Sequence, residues 1–428
     1  MTGSEAIAYI HSFHWQSHAP GLARIRALLA ALGDPQRQLK FVHVAGTNGK
    51  GSTCACLASV LQVSGCRVGL NTSPYLVRFH ERIQVDGVPI SDEELGQLTE
   101  EVRPAAEAMA EHPTEFELIT ALAMVYFLRK KCDIVVLEVG LGGALDASNI
   151  IDVPEAAVLA AMGMDHVREL GPTLTDIARA KAGIIKPGGD VVSYGGAPEA
   201  DEVFRQVCQQ QGARLTEVDF SRLRLEESDL SGSRFDFGDL KGLYLPLAGS
   251  YQPKNAALAL TTLEVLRRKG WPVTEESIRR GLASVRWPGR FQLLRRDPAV
   301  VLDGAHNPHG MAATARSLAA AFPQGGVEFV LGIMADKDVD RMLTPLLPLA
   351  DRFFTLRPDN PRAMEAQELA RRLTALGARA QACASVEEAV EAALAAAGHD
   401  GAVCALGSLY LSAAVQQAVA DWTSRHTI

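Results

Sequence analysis

A glycine-rich loop with one lysine lies between a predicted strand and a predicted helix. The strand Lys40 to Ala45 ends just before Gly46-Thr47-Asn48-Gly49-Lys50-Gly51-Ser52-Thr53, and a helix follows at once. Glycine permits backbone angles in which successive N–H groups point at one anion, while Lys50 and the helix N-terminus add positive charge. The loop is a shortened variant of the phosphate-binding pattern G-x-x-x-x-G-K-[ST]. It predicts binding of ATP phosphates; the alternative is a purely structural turn.

Three polar residues lie at or just after the ends of further predicted strands. Ser73, Glu138 and His166 follow or end the strands Arg67 to Asn71, Ile134 to Glu138 and Ala156 to Ala161. In a parallel sheet, the carboxyl ends of the strands form the usual ligand crevice. A hydroxyl, a carboxylate and an imidazole beside a phosphate loop suit a divalent cation that bridges phosphate oxygens. The alternative is that Glu138 caps a turn and His166 is a hydrogen-bonded loop residue.

Short apolar strands alternate with amphipathic helical segments along most of the chain. The helix predicted from Asp92 to His112 begins with a capping box formed by Ser91 and Glu94. Alternation of this kind predicts an α/β fold, with a mostly parallel sheet and helices on both faces. The other elements predicted before residue 287 are the helices Ser52–Ser64, Glu117–Lys131, Glu199–Gln211, Asn255–Lys269 and Glu275–Val285, and the strand Val191–Tyr194.

The segment Trp287-Pro288-Gly289-Arg290 is the predicted domain boundary, because proline and glycine stop a helix and the strand–helix alternation restarts afterwards. Residues 1–287 are expected to form the first domain, with a small antiparallel appendage at about 214–246. Residues 288–428 are expected to form a second, smaller α/β domain of ordinary size. Its predicted strands are Ala299–Leu302, Glu328–Gly332, Arg352–Leu356 and Ala402–Leu406, and its predicted helices are Pro308–Phe322, Met364–Leu376 and Val386–Ala397.

The composition is that of a globular enzyme. Of 428 residues, 47% are hydrophobic and 21% are charged, which excludes a collagen-like or broadly disordered chain. Lys and Arg number 42 against 50 Asp and Glu, and this net negative charge disfavours bulk nucleic-acid binding, although it leaves room for a local basic pocket. The seven cysteines have no disulfide or zinc-site spacing, which predicts buried thiols. Without a long apolar run or a signal-peptide layout, we expect a cytoplasmic protein that binds no membrane. We also expect a monomer.

Seven blocks of sequence carry a resemblance to one known family. They are G-T-N-G-K-G-S (46–52), T-S-P-Y-L-V-R-F-H-E-R-I (72–83), L-E-V-G-L-G-G-A-L-D-A-S-N (137–149), M-D-H (164–166), K-A-G-I-I-K-P-G (181–188), W-P-G-R-F (287–291) and L-D-G-A-H-N-P-H-G (302–310). In this order, over nearly the whole chain, they resemble folylpolyglutamate synthase/dihydrofolate synthase, a branch of the Mur ligase superfamily. The resemblance implies a P-loop Mur-ligase-type ATPase domain with a mostly parallel sheet and a smaller Rossmann-like C-terminal domain, with ATP between them.

The resemblance also implies roles for single residues. Lys50, Lys181 and His306 are the candidate catalytic residues, and His306 is the candidate anchor for L-glutamate. ATP would be held by the loop Gly46, Thr47, Asn48, Gly49, Lys50, Gly51 and Ser52, and by Asn255, Arg290 and Asp303. Magnesium, as two ions, would be held by Ser73, Glu138 and His166. The pterin end of the substrate would lie near Phe116, Glu117, Thr120, Leu145, Asp146 and Ala147.

Two of these expectations concern how the site is organised. In the family, the lysine that matches Lys181 is often carbamylated and helps to organise the second magnesium ion, whereas a lone helical lysine is normally a solvated surface charge. Arg290 and Asp303 are expected on opposite sides of an interdomain hinge, so that nucleotide binding would couple to domain closure.

The sequence departs from the family pattern at three positions. Ala144 replaces the usual arginine of G-G-R-L-D, Tyr75 replaces the histidine of T-S-P-H, and Tyr251 replaces the first residue of an H-Q pair. None lies in the phosphate loop or the metal set, so the ligase chemistry is retained and the acceptor preference is left open.

The function implied is ATP-dependent joining of L-glutamate to folates through an acyl phosphate, together with synthesis of dihydrofolate from 7,8-dihydropteroate. The alternatives are a related Mur-type ligase that acts on another carboxylate, and a regulatory ATPase without ligase activity.

Overall fold

The structure, a computed structural model, describes residues 1–13 and 21–426. The chain divides into two compact units. The first contains Met1–Arg222 and Lys254–Val285, and the second contains Leu223–Pro253 and Arg286–Ile428.

The first unit is built on a mostly parallel sheet of eight strands within the described residues. Its strands are β1 (Phe41–Ala45), β2 (Val68–Asn71), β3 (Ile83–Val85), β4 (Val88–Pro89), β5 (Ile134–Glu138), β6 (Ala156–Leu159), β7 (Asp190–Ser193) and β8 (Arg214–Glu217). Their order is β4-β3-β2-β5-β1-β6-β7-β8, and the antiparallel pairs among these strands are β2–β3 and β3–β4. The carboxyl ends of β2, β5, β1 and β6 therefore lie side by side at one edge.

The helices of this unit cover the sheet. They are α1 (Gly3–His11), α2 (Ala23–Ala31), α3 (Lys50–Val63), α4 (Asp92–Glu107), α5 (Glu115–Arg129), α6 (Val167–Leu170), α7 (Leu174–Ala182), α8 (Pro198–Gln211), α9 (Gln252–Arg268) and α10 (Glu275–Ala283). α4 begins with the predicted capping box of Ser91 and Glu94. A second capping box, formed by Thr114 and Glu117, begins α5. Helices α1, α2, α4 and α5 share one apolar core with β1 and β5.

The second unit contains two sheets. An antiparallel sheet is formed by β9 (Leu223–Asp229), β10 (Gly232–Phe237) and β11 (Leu240–Leu245), and a mixed sheet by β12 (Gln292–Arg295), β13 (Ala299–Leu302), β14 (Val327–Leu331), β15 (Ala350–Thr355), β16 (Ala380–Ala382) and β17 (Ala402–Leu406). The mixed sheet has the order β12-β13-β17-β14-β15-β16, and only β12 pairs antiparallel. Its helices are α11 (Pro308–Ala321), α12 (Val339–Leu343), α13 (Ala366–Ala375), α14 (Val386–Ala397) and α15 (Ser412–His426).

The predicted fold class, α/β with a mostly parallel sheet and a separate C-terminal sheet domain, is confirmed. The appendage differs from the prediction in two ways. Residues 214–217 form β8, a half-exposed edge strand parallel to β7, so their polar composition reflects an edge position. The antiparallel sheet of residues 223–245 belongs to the second unit, where Ala248 shares a core with Phe291.

Candidate active site

The phosphate loop turns sharply between β1 and α3 at two glycines. Gly46 has φ 150° and Gly49 has φ 84°, a region that L-side chains rarely adopt. A Cβ on Gly46 would lie 2.7 Å from the Cβ of Ala160, and a Cβ on Gly49 would collide with the side-chain oxygen of Asn255. Glycine is therefore required at both positions by conformation and by space. The second contact also places the predicted nucleotide-binding residue Asn255, on α9, against the loop.

The backbone N–H groups of the loop have different partners. Thr47 and Asn48 donate to the carbonyl oxygen of Ala161, over 3.0 and 3.1 Å, which ties the loop to the segment after β6. The first intrahelical bond of α3 runs from Thr53 to Gly49. The N–H groups of the first turn, from Lys50 to Ser52, precede it and point away from the helix, where they suit an anion. The N–H groups that can face an anion are therefore those of Lys50 to Ser52. The N–H of Asn48 cannot, because it donates to a backbone carbonyl oxygen.

Two lysines meet at this loop. The Lys50 ammonium donates to the carbonyl oxygens of Gly46 and Thr47, over 3.2 and 3.3 Å. Lys181, on α7, donates to the Gly46 oxygen over 2.8 Å and is only 5% exposed. Burial, and secondarily the charge of Lys50, lower the pKa of Lys181 to about 7. The interpretation of Lys181 as a solvated surface charge is therefore wrong.

Ser73 and Glu138, two of the three predicted metal ligands, are in direct contact. The Ser73 N–H donates to Oε2 of Glu138 over 2.9 Å, because β2 and β5 are neighbours. Glu138 is buried at 5% exposure. Burial raises the pKa of the Cys54 thiol in α3 well above its ordinary value, Glu138 raises it further, and Lys50 opposes. The Glu138 carboxylate and the Lys50 ammonium therefore both lie within electrostatic range of the first turns of α3.

His166, the third predicted ligand, lies on the loop after β6. It has φ 51° and a side chain that is 42% exposed. Its Nε2 lies 3.8 Å from Asp165, and its Nδ1 lies 3.9 Å from Glu169. Asp165, in the same M-D-H block, is a buried acid that is not among the predicted site residues.

Two of the three predicted donors, Ser73 and Glu138, supply the oxygen atoms that magnesium prefers. Glu138 is an oxygen ligand that can accept bonds at both oxygens, and Ser73 adds a hydroxyl. Within residues 1–13 and 21–426, no group of three or more His, Cys, Asp and Glu side chains could hold a metal ion. A magnesium ion held by this set would need further oxygen ligands from phosphate or water, as is usual for an ion that accompanies a nucleotide.

Several predicted pterin-binding side chains have partners inside the protein. Glu117 is 5% exposed, and it accepts from Arg24 over 3.0 Å and from the Thr114 N–H over 2.7 Å. Thr120 is also buried and donates to the Phe116 carbonyl oxygen. These side chains hold the start of α5 in place.

The loop after β5 is organised by Asp146. Its carboxylate accepts from the Leu141 N–H over 2.8 Å and from the Ser148 N–H and hydroxyl over 3.0 and 2.5 Å. Burial raises the pKa of Asp146, and these hydrogen bonds oppose the shift. Ala147 is buried beside it, whereas Leu145 is 57% exposed. Of the predicted set, Leu145 and the half-buried Phe116 have the apolar surface that a ring could reach.

In the second unit, Asp303 is saturated with hydrogen bonds. Oδ2 accepts from the Tyr251 hydroxyl and the Phe291 N–H, both over 2.7 Å. Oδ1 accepts from the Ala305 N–H over 2.8 Å and from Thr314 over 2.9 Å. Tyr251, one of the three departures from the family pattern, is thus a donor to a buried carboxylate.

Arg290 and His306 lie beside this carboxylate in the chain. Arg290 donates to the Gly289 carbonyl oxygen over 3.2 Å, and Nδ1 of His306 lies 2.8 Å from the Gly304 carbonyl oxygen. A Cβ on Gly304 would collide with the Arg290 guanidinium. Arg290 and Asp303 therefore belong to the same unit, and the expectation that they flank a hinge is wrong.

No helix in the described part of the chain is long and apolar enough to cross a membrane.

Comparison with known proteins gives matches over nearly the whole chain. The Mur ligase middle domain matches residues 44–263, and the Mur ligase glutamate ligase domain matches residues 289–409. The chain is 38% identical to folylpolyglutamate synthase of Lacticaseibacillus casei, over 97% of this chain and 98% of the relative. It is 38% identical to dihydrofolate synthase/folylpolyglutamate synthase of Bacillus subtilis, over 85% and 87% of the two chains. The E. coli FolC structure in complex with DHPP and ADP superposes with a TM-score of 0.88 at 33% identity, over 100% of this chain and 99% of that one.

Proposed function

Since the chain belongs to the folylpolyglutamate synthase/dihydrofolate synthase family of Mur ligases, we propose that it joins L-glutamate to a folate in an ATP-dependent reaction. We propose that the same site also accepts 7,8-dihydropteroate and so makes dihydrofolate, because the Bacillus subtilis relative has both names and the E. coli structure contains DHPP. The observation that carries the proposal is the phosphate loop, where two lysines converge on Gly46 beside the open N-terminus of α3.

The first step activates the acid. A carboxylate is a poor electrophile, and transfer of the γ-phosphoryl group of ATP to its oxygen gives an acyl phosphate with a good leaving group. Charge builds on the phosphoryl oxygens during this transfer. Lys50 and the N–H groups from Lys50 to Ser52 are placed to offset it, and they need no rearrangement because the loop is already formed.

The second step forms the amide. The amine of L-glutamate attacks the acyl carbon, and the tetrahedral intermediate expels phosphate. His306 is our candidate for holding the incoming glutamate, and its Nδ1 lies 2.8 Å from the Gly304 carbonyl oxygen. The chain needs no covalent intermediate of its own, so positioning and electrostatics carry the rate.

Ser73, Glu138 and His166 are the residues that would hold magnesium. When bound, magnesium would neutralise phosphate charge at the edge where β2, β5 and β6 end. Glu138 supplies the negative charge of this set, and its Oε2 is oriented by the Ser73 N–H. Lys181 would hold the Gly46 carbonyl in place from the other side of the loop.

We propose Leu145 and Phe116 as the apolar contacts of the pterin ring, and Asn255, Arg290 and Asp303 as residues near the nucleotide. Since the polar atoms of Asp303 have internal partners, its proposed part is to fix the Phe291 backbone that follows Arg290. We further propose that the protein works as a cytoplasmic monomer.

The decisive experiment is a substrate-omission assay. Release of phosphate and ADP from ATP is measured with L-glutamate and tetrahydrofolate, with L-glutamate and dihydropteroate, and with each component left out. The proposal expects turnover only when an amine and a pterin acid are both present, and labelled glutamate in the product. Turnover without either substrate would indicate a regulatory ATPase, and turnover only with another carboxylate would indicate a different Mur-type ligase.

A further inference from the structure

Asn149 joins the loop after β5 to the end of the helix that carries Lys181. Its Nδ2 donates to the carbonyl oxygen of Ala144 over 3.1 Å and to that of Gly183 over 3.0 Å. Ala144 belongs to the glycine-rich turn that follows Glu138, and Gly183 directly follows α7. Asn149 is 5% exposed, so water does not compete for either bond. One side-chain amide therefore connects two segments that are far apart in the sequence.

The two segments pack backbone against backbone. The Ala144 N–H donates to the Ala180 carbonyl oxygen over 2.8 Å. A Cβ on Gly143 would lie 2.9 Å from the carbonyl oxygens of Ala180 and Lys181, and a Cβ on Gly183 would collide with Ala144. Gly143 and Gly183 thus have no side chain because none would fit. Such a contact has little tolerance for displacement.

The contact between residues 143–144 and 180–183, which we call the junction, fixes the backbone position of Lys181. Lys181 lies two residues before Gly183, and its ammonium reaches the Gly46 carbonyl oxygen of the phosphate loop. A lysine side chain is long and flexible, so the position of its ammonium depends on a fixed backbone. We propose that Asn149 is a positioning residue that acts through Lys181 on the phosphate loop. This inference rests on the proposed function in one respect, namely that the ligand of the loop is ATP.

A double-mutant cycle tests the inference by the affinity for the β,γ-methylene analogue of ATP, measured by calorimetry without turnover. Asn149→Ala removes two neutral hydrogen bonds, so we expect about tenfold weaker binding in the otherwise unchanged protein. In a Lys181→Met background, the same change should alter affinity less than about twofold, because the residue through which Asn149 acts is gone. A merely structural role would give the same loss in both backgrounds.

A second variant and a control complete the cycle. Gly183→Ala pushes the same junction apart from the other side without a backbone penalty, since Gly183 has φ −60°, and it should show the same dependence on Lys181. Thr99→Val removes a fully buried hydroxyl that donates to the Leu95 carbonyl oxygen in α4, and it should leave the affinity unchanged in both backgrounds. Thermal melts identify any variant that does not fold.

The outcomes separate the two proposals. If the unaltered protein binds the analogue and both junction variants lose affinity equally with and without Lys181, the positioning role is refuted and the proposed ligase function stands. If the unaltered protein does not bind the analogue at all, the proposed function fails, and the inference fails with it.

Discussion

Lys50 and Lys181 donate to the same acceptor, the carbonyl oxygen of Gly46, over 3.2 and 2.8 Å. They reach it from different helices, α3 and α7, and the charge of Lys50 disfavours the charge of Lys181. Two lysines that share one carbonyl oxygen suit a site that receives phosphate better than they suit a purely structural turn. Burial, and then the proximity of Lys50, lower the pKa of Lys181, and the contact supports the proposal that this loop binds a nucleotide.

Replacing Lys50 tests the phosphate-loop assignment. Lys50→Ala should reduce ADP formation at least about a hundredfold, because it removes the cation that we propose offsets the charge of the transferred phosphoryl group. Initial rates at saturating substrates measure the effect. The control is Lys131→Ala, which removes an exposed lysine of the same unit and should leave the rate unchanged. Near-normal turnover by a folded Lys50→Ala protein would show that the loop does not bind the reacting phosphate.

The phosphate loop could be predicted because its determinants are local. A strand, three glycines, a lysine and a helix start follow one another in the sequence, and the capping box of Ser91 and Glu94 is local in the same sense. The burial of Lys181 could not be predicted, because it depends on Gly143 and Ala180 meeting across about 40 residues of chain.

The contrast between local determinants and contacts of distant residues also explains the other differences between the predicted and the observed structure. β8 is polar because it is an edge strand, and neither composition nor periodicity separates an edge strand from a loop. One of the hydrogen bonds to the Asp303 carboxylate comes from the hydroxyl of Tyr251, which is distant in the sequence. Residues 14–20, part of the stretch in which the sequence shows no signal-peptide layout, lie outside the described residues.

The pKa of Lys181 predicts how stability changes with pH. Its value of about 7 in the folded protein lies below its ordinary value of 10.5, so between these values the unfolded chain holds more protons. The free energy of unfolding should therefore rise with pH across this window, by a few kcal/mol, relative to Lys181→Met. Urea unfolding at pH 6.5 and 9.5 in bicarbonate-free buffer measures the difference. A difference that does not change with pH would show that Lys181 titrates normally.

The same lowered pKa makes carbamylation of Lys181 accessible near neutral pH. Only the neutral amine adds carbon dioxide, and at pH 8 a group with this pKa is roughly nine-tenths neutral. With 13C-labelled bicarbonate, we expect a carbamate signal in the unaltered protein and none in Lys181→Met. An identical spectrum for both proteins would leave Lys181 as an unmodified amine.

Glu138 should control the magnesium requirement. Glu138→Gln keeps an oxygen acceptor for the Ser73 N–H but removes the negative charge, so half-maximal activity should need at least about tenfold more magnesium. A magnesium titration at saturating ATP and glutamate measures this. Glu328→Gln is the matched control, because Glu328 is an equally buried carboxylate on β14 of the second unit. Overlapping titrations for Glu138→Gln and the unaltered protein would remove Glu138 from the metal set.

Glu328 should make the second unit less stable as the pH rises. It is 2% exposed, and its Oε2 has no hydrogen-bond partner among the described residues. Burial, and then the neighbouring Asp351, raise the pKa of Glu328 from 4.5 to about 7, while Arg352 and Arg379 oppose the shift. Between these values the folded state holds more protons, so the free energy of unfolding falls as pH rises, and the full cost is present above pH 7. The side chain in Glu328→Gln is neutral at every pH. Its free energy of unfolding, relative to that of the unaltered protein, should therefore increase by about 1–3 kcal/mol between pH 5 and pH 8. Asp351→Asn removes the neighbouring charge, so its free energy of unfolding should show part of the same relative increase. Parallel pH profiles of stability for all three proteins would contradict the raised pKa of Glu328.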